Sequence, residues 1–332
     1  MSIEIKTTSV EPIRRTFDHI AEKIGPGKAA TRYQEAVWGL QPQVNLHYRP
    51  TWDPDKLLYD PARTAIVMAD FDDLIDPRQY YYGTWTIQRG KQQDSQEKNL
   101  NFVESRGLLA SLDPAIREKV QCLVVPLRHV AWGANTNNSY IAAYGFGAPM
   151  TSAASLQMMD NLGVAQYITR IGLILAENDA GALDDAKALW MDDPRWQPMR
   201  ALIEEAMVTK DWFELHVLQN FLIDGALYPL VFDRFDATVA QAGGAAFSMM
   251  NEFTDEWFAE SSRWVDAVIK RAAQESDDNK ALLSGWIAKW VPRVQGALKP
   301  LADLAFNGAG AAEVDEVMDR LMSRAAKAGL NV

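Results

Sequence analysis

Four histidines, His19, His47, His129 and His216, are the side chains of this 332-residue chain best suited to hold a metal or move a proton near neutral pH. A carboxylate-bridged two-metal centre in a helix bundle takes a Glu from each of two helices and a Glu-x-x-His from each of two others, because positions i and i+3 share a helix face. The residues three places ahead of the histidines are Thr16, Val44, Pro126 and Phe213, so the sequence contains no Glu-x-x-His. One stretch is nevertheless spaced for such a face. In LQMMDNLGVAQYITRIGLIL, Leu156 to Leu175, a helix would align Asn161, Val164, Ile168, Ile171 and Leu175 at i, i+3, i+4 steps. Where the motif would stand, this face carries an amide and a valine. From Lys119 through Met159 there is no Asp or Glu at all, so a helix over Gln121 to Tyr144 can donate no bridging carboxylate and has only His129 as a ligand. Filling such a site with apolar side chains replaces a costly charged cavity.

Other chemistries find no better footing. Glu214 and His216 stand about 200° apart on a helix and face different ways. His216 reads as a structural side chain. Cys122 lies in the apolar run CLVVPL, where burial raises a thiol pKa and leaves it inert, and a lone cysteine excludes a disulfide framework or a cysteine-based metal site. Gly-x-Ser-x-Gly and Gly-rich phosphate loops are absent. The acidic pairs Asp72/Asp73, Asp184/Asp185, Glu204/Glu205 and Asp277/Asp278 are adjacent in sequence and read as solvated faces or caps. On a helix over Phe247 to Lys270, Met250, Phe253, Trp257, Trp264 and Val268 form a core stripe, while Glu256, Glu260 and Arg263 form a polar one expected at the surface.

The elements that must position these residues are helices. From about Glu97 the pattern predicts spans over 97–110, 114–144, 151–180, 182–190, 195–209, 211–235, 238–269, 277–295 and 312–328. Asp113-Pro114 and Asp193-Pro194 act as start signals, and Asn307 to Ala312 as a hinge. Long spans with short joins predict a large all-α bundle of antiparallel neighbours. Residues 1–60, rich in proline, predict one short helix near Thr31 to Leu40 within an extended arm that lies over the domain formed by 61–332. Tyr80, Tyr81, Tyr82 and Trp85, with Tyr48 and Trp52 in the arm, are candidate interface residues, since aromatic side chains bury area while keeping a polar tip. A net charge of −11 argues against nucleic acid, and no run of about 18 uninterrupted apolar residues suggests a membrane span. A cytoplasmic protein is expected.

At this point the chain resembles the β subunit of the hydroxylase of bacterial multicomponent monooxygenases, of the phenol hydroxylase and toluene monooxygenase type. The resemblance runs end to end and is carried by YRPTWDP (Tyr48 to Pro54), LYDP (Leu58 to Pro61), DPRQYYYGTW (Asp76 to Trp85) and DPRWQPMRALIEEAMVTKDWFE (Asp193 to Glu214). It implies a ferritin-like helical fold and an α2β2γ2 hydroxylase whose di-iron centre lies in α alone. It also implies a regulatory protein and an NADH-dependent reductase as further partners. MDNLGVAQ would then sit where α chains read DE-x-x-H-A-Q, and TDEWFA where they read TDE-x-x-H. Asn161 and Val164, and Glu256 and Ala259, become degenerate ligand positions, with the remaining carboxylates falling near Ala131 and near Leu222 to Asp224. The implied role is a non-catalytic subunit, with no metal or cofactor of its own, that braces and dimerises the iron-bearing chains. A self-sufficient di-metal oxidase with atypical ligands and a stand-alone helical binding protein are the rival expectations.

Overall fold

The computed structural model describes residues 18–44 and 49–332, and among these no strand occurs. Tyr48 and His47 lie outside the described residues. Two short helices, α1 (Asp18–Ile24) and α2 (Arg32–Val37), come first. Thr31 caps α2 through a capping box with Gln34, which satisfies two donors that the helix start leaves open. The helix expected over 31–40 is therefore present but ends at Val37.

Residues 49–81 run without long helices, yet they are bound to the body of the protein. Arg63 is buried, with its guanidinium 5.4 Å from the Trp52 ring and 5.5 Å from that of Tyr144. It donates to the Leu57 carbonyl and pairs with Asp53 at 2.7 Å. Beyond it Ile66, Met68, Phe71 and Leu74 enter the main core. Asp72, expected to be solvated, is buried, and its carboxylate accepts from the Gly39 amide and from Lys23.

The bundle follows. Its helices are α3 (Tyr82–Ser105), α4 (Pro114–Leu123), α5 (Leu127–Tyr144), α6 (Ala148–Leu175), α7 (Gly181–Asp192) and α8 (Gln197–Met207). After them come α9 (212–244), α10 (Ala245–Glu275), α11 (Asp277–Ala305) and α12 (Gly310–Lys327). Asp113 and Pro114 start α4 as expected. Pro126, which has no amide to donate, divides the span expected over 114–144 into α4 and α5. Helix α3 begins fifteen residues before the expected Glu97. Its buried face there is Arg89, Gln92 and Gln96, and only then Leu100 and Val103, so no apolar period announces it. Conversely α11 continues through Pro292 and Pro300 to Ala305. Asn307 and Gly308 take positive φ and form the hinge before α12.

The turn from α5 to α6 needs a glycine: Gly147 has φ +91°, and a Cβ there would stand 2.7 Å from the Phe71 carbonyl oxygen. Helix α9 carries two wide, π-type stretches, Val217–Ile223 and Pro229–Phe235, and the chain kinks at Ala242 and Gly243, the latter with φ +88°, before α10. In the first, all seven residues are buried, so this helix runs through the centre of the protein. An apolar window within Trp212–Glu275 has the length and apolarity of a membrane span, but 94% of it is buried inside the protein, as suits a core helix.

Candidate functional site

Metal chemistry in this fold belongs where inward faces of four helices meet, here α5, α6, α9 and α10. Asn161 and Val164 on α6 are both fully buried, as their spacing predicts. What lies in the interior beside the apolar packing is a set of amides. Asn138 and Asn220 exchange hydrogen bonds across α5 and α9 at 3.0 and 2.9 Å. Asn137 donates to Gln219 at 2.8 Å, and Gln219 donates onward to Asp224 at 2.8 Å. The His216 Nδ1 lies 3.0 Å from the Asn220 amide nitrogen, an arrangement that makes Nδ1 the acceptor.

Burial sets the charge state of the two titratable groups. Desolvation lowers His216 to about 3 and raises Asp224 to about 7, the latter partly offset by the Gln219 bond. Oδ2 of Asp224, Nε2 of His216 and both polar atoms of Asn161 have no partner among the described residues. One neutral imidazole and one carboxyl held by neutral amides do not supply the four carboxylates and two histidines of a two-iron centre. Among the described residues no group of three His, Cys, Asp or Glu side chains comes together as a metal site. The residues present do not fit that cofactor.

Glu256 and Ala259 are not brought to the same place. Both are exposed on α10, Glu256 accepting a bond from Gln92 at 3.2 Å. The inward residues of this helix are Thr254, Trp257, Glu260, Ser261 and Trp264. The four expected positions thus form one buried pair and one exposed pair. Glu260, expected on a surface stripe, is buried because α3 covers it.

That covering is a charged network absent from the expectations. Arg89 on α3 binds Asp160 on α6 through two hydrogen bonds of 2.7 Å, and Glu260 on α10 at 3.0 Å. The indole nitrogens of Trp85 and Trp257 donate to the same Asp160 carboxylate at 2.9 and 3.1 Å. Arg78 pairs with Asp76 at 2.9 Å and lies 3.8 Å from Glu260. Burial would lower the Arg89 pKa, but Asp160 and Glu260 outweigh it, and the net direction is upward. Asp160 precedes Asn161 in MDNLGVAQ; the signal was one residue away.

The aromatic cluster divides on the same network. Tyr80 is half-buried with Arg78 4.9 Å and Arg89 5.6 Å from its ring, and burial, then Glu260, pushes its pKa up. Trp85 is tied to Asp160 and Tyr81 is half-buried, whereas Tyr82 and Trp52 are exposed, by 72% and 48%. His129 stacks on Trp190 at 5.6 Å, and burial, then Arg128 and Lys187, lowers it to about 4. Cys122 is raised by burial. Glu214 turns away from His216 and accepts from Lys289 and from the Trp290 indole, each at 2.7 Å.

Residues 52–276 match the family model of methane, phenol and alkene hydroxylases. The chain belongs to this family. Among its relatives, the oxygenase component DmpL of phenol 2-monooxygenase from Pseudomonas sp. (strain CF600) is 44% identical over 330 residues, covering 99% of this chain and 98% of that protein. The hydroxylase component subunit beta of the toluene-4-monooxygenase system from Ectopseudomonas mendocina is 24% identical, with 88% of each chain covered. The crystal structure of xenon-pressurised phenol hydroxylase from Pseudomonas sp. OX1 superposes with a TM-score of 0.92 at 45% identity and covers 99% of both chains. The ferritin-like fold is thereby shared with a phenol hydroxylase. This member of the family is a hydroxylase component of a multicomponent monooxygenase.

Proposed function

We propose that the chain is the non-catalytic β-type subunit of an aromatic, phenol-hydroxylating monooxygenase, bracing and dimerising iron-bearing α chains in an α2β2γ2 hydroxylase. The observation that carries this reading is the fully buried pair Asn161 and Val164, an amide and an aliphatic side chain where a di-iron helix needs Glu-x-x-His. The amide ladder Asn137, Asn138, Gln219 and Asn220 supports it further. Neutral amides can satisfy one another in a closed core at little electrostatic cost, whereas six metal ligands without metal could not. The toluene-4-monooxygenase relative, whose name is that of a hydroxylase beta subunit, points the same way. Oxygen activation would then occur in the partner α chain, with electrons from an NADH-dependent reductase and control by a regulatory protein.

Metal analysis decides the reading. The chain purified alone should hold no stoichiometric iron, and the co-expressed hydroxylase should hold its iron in the chain that carries Glu-x-x-His. Stoichiometric iron or manganese on this chain, with oxidase activity in its absence of partners, would replace the proposal by a self-sufficient enzyme.

A further inference from the structure

The kink at Ala242 and Gly243 bends the end of α9 back toward the start of α10. Twelve residues of straight helix would put Asp236 and Ser248 about 18 Å apart, yet the Ser248 hydroxyl donates to Asp236 Oδ2 at 2.6 Å. Asn251 Nδ2 donates to Oδ1 of the same carboxylate at 3.0 Å. With Asn99 of α3 on the third side, this corner opens into a cavity of about 560 Å³ that none of the features above explains. Four carboxylates line it, Asp233 and Asp236 from α9 and Glu252 and Asp255 from α10, and no Lys, Arg or His does. Among the described residues only Asp233 has a cationic partner, Arg320 at 2.9 Å, which is not part of the lining. Burial, and after it Asp233, Asp236 and Glu256, raises the Asp255 pKa, as expected of carboxylates crowded without a counter-charge.

A second observation is independent of charge. Asn251 is 2% exposed and lines the same cavity, and its Oδ1 has no hydrogen-bond partner among the described residues. Its orientation is fixed, since turning the amide over would set Oδ1 against the Asp236 carboxylate. A buried carbonyl without a donor is costly and is normally satisfied. The side-chain donors at hand are spent: Ser248 and Asn251 on Asp236, and Asn99 on Glu252 and the Met249 carbonyl. What the lining side chains still offer is acceptors only. A metal ion does not fit, because among the described residues no three His, Cys, Asp or Glu side chains stand close enough to share one. A cation that brings its own N–H donors does fit. It can reach separated acceptors, and Phe232, Ala237 and Met249 give its carbon stem apolar surface.

We propose that the cavity between α3, α9 and α10 is a binding site for a guanidinium or primary ammonium group, with the Asn251 carbonyl and the Asp255 carboxylate as its acceptors. Asn251 and Asp255 stand four residues apart and so share a face of α10. This assignment does not depend on which subunit of the hydroxylase the chain is.

Isothermal titration calorimetry of the full-length chain with agmatine, which carries both groups, tests it. Saturable one-site binding is expected, at least about 10-fold tighter than that of pentamethonium, a dication of similar length without N–H donors. Asp255→Asn and Asn251→Leu should each weaken agmatine about 10-fold, whereas Asp185→Asn, which removes an exposed carboxylate on α7, should not. If Asn251→Leu does not fold by circular dichroism, Asp255→Lys, which tethers an ammonium at the same place, should abolish binding instead. The same titration on the intact hydroxylase separates the sources of the group. Binding that persists there and weakens in Asp255→Asn marks a site for a free amine; binding lost on assembly marks a Lys or Arg side chain of a partner chain. No saturable binding, equal affinity for pentamethonium, unchanged affinity in Asp255→Asn, an equal loss in Asp185→Asn, or displacement of agmatine by equimolar magnesium would each overturn the proposal.

Discussion

Arg89 on α3 and Asp160 on α6 meet in a two-point ion pair inside the protein, immediately beside Asn161. Nε and Nη2 each lie 2.7 Å from a different carboxylate oxygen, and Nη2 also reaches Glu260 on α10. One guanidinium thus joins three helices at the level where a di-iron member of the fold would hold metal. A charge fixed on three helices does part of the tying together that bridging carboxylates and iron would otherwise do.

Arg89→Met is therefore expected to cost stability out of proportion to its size. It leaves Asp160 with two indole donors and Glu260 with the more distant Arg78, both buried. Breaking a buried pair by removing one partner costs about 3–5 kcal/mol. Urea unfolding followed by circular dichroism measures it; a loss under about 1 kcal/mol would mean that the network is not a structural clamp.

Asp224 and His216 predict opposite pH dependences. Asp224 is raised in the folded chain to about 7 from an ordinary value of 3.8, so between these values the unfolded chain has released a proton that the folded chain keeps. Stability from this group falls as pH rises through that window and is flat above it. His216 is lowered from 6.5 to about 3, so its contribution falls as pH drops from 6.5. Asp224→Asn keeps an acceptor for Gln219 and removes the first slope. Stability at pH 7.5 relative to pH 5 should improve in the variant by about 2 kcal/mol. An unchanged pH profile would show that Asp224 is not a buried acid.

These two cases also show what the sequence can and cannot reveal. The apolar period through Val164, Ile168, Ile171 and Leu175 was readable because a face packed against aliphatic neighbours must repeat every three or four residues. Asp113-Pro114 and the Asn307 hinge were readable for local reasons of capping and backbone freedom. Helix α3 was not, since the face it buries is Arg89, Gln92 and Gln96, and buried ions look exposed until their partners from α6 and α10 are known. Glu260 differs from its expected place for the same reason: its own helix shows a polar stripe, and only tertiary packing decides that α3 covers it. The exposure of Glu256 agrees with that stripe, and Ala259 is exposed beside it, which a motif match alone does not register.

Restoring the motif on α6 should fail to restore the metal. Asn161→Glu with Val164→His places an acid and a larger imidazole at two fully buried positions, the first held by an amide whose polar atoms have no partner among the described residues. Overpacking and an uncompensated buried charge each cost on the order of 1–3 kcal/mol or more. The double variant should unfold at lower urea concentration and bind no stoichiometric iron by elemental analysis. Bound, redox-active iron would mean that the remaining ligands are supplied after all.

The tyrosine cluster makes a prediction with two parts, because the network splits it. Tyr80 lies against Arg78 and Arg89, so Tyr80→Ser should lower the stability of the chain itself. Tyr82 is exposed, with its ring tilted 36° against that of Trp85, 6.4 Å away between centroids. Under the proposed assembly, Tyr82→Ser should leave the melting temperature in place while weakening co-purification with the partner chains through the exposed end of DPRQYYYGTW. Melting and pull-down measured on the same preparations separate the two effects. If Tyr82→Ser assembles like the parent chain, the interface lies elsewhere on the surface, and the exposed Trp132 and Leu162 of α5 and α6 become the next positions to substitute. If Tyr80→Ser melts like the parent, the ring is not part of the charged core that closes over Glu260.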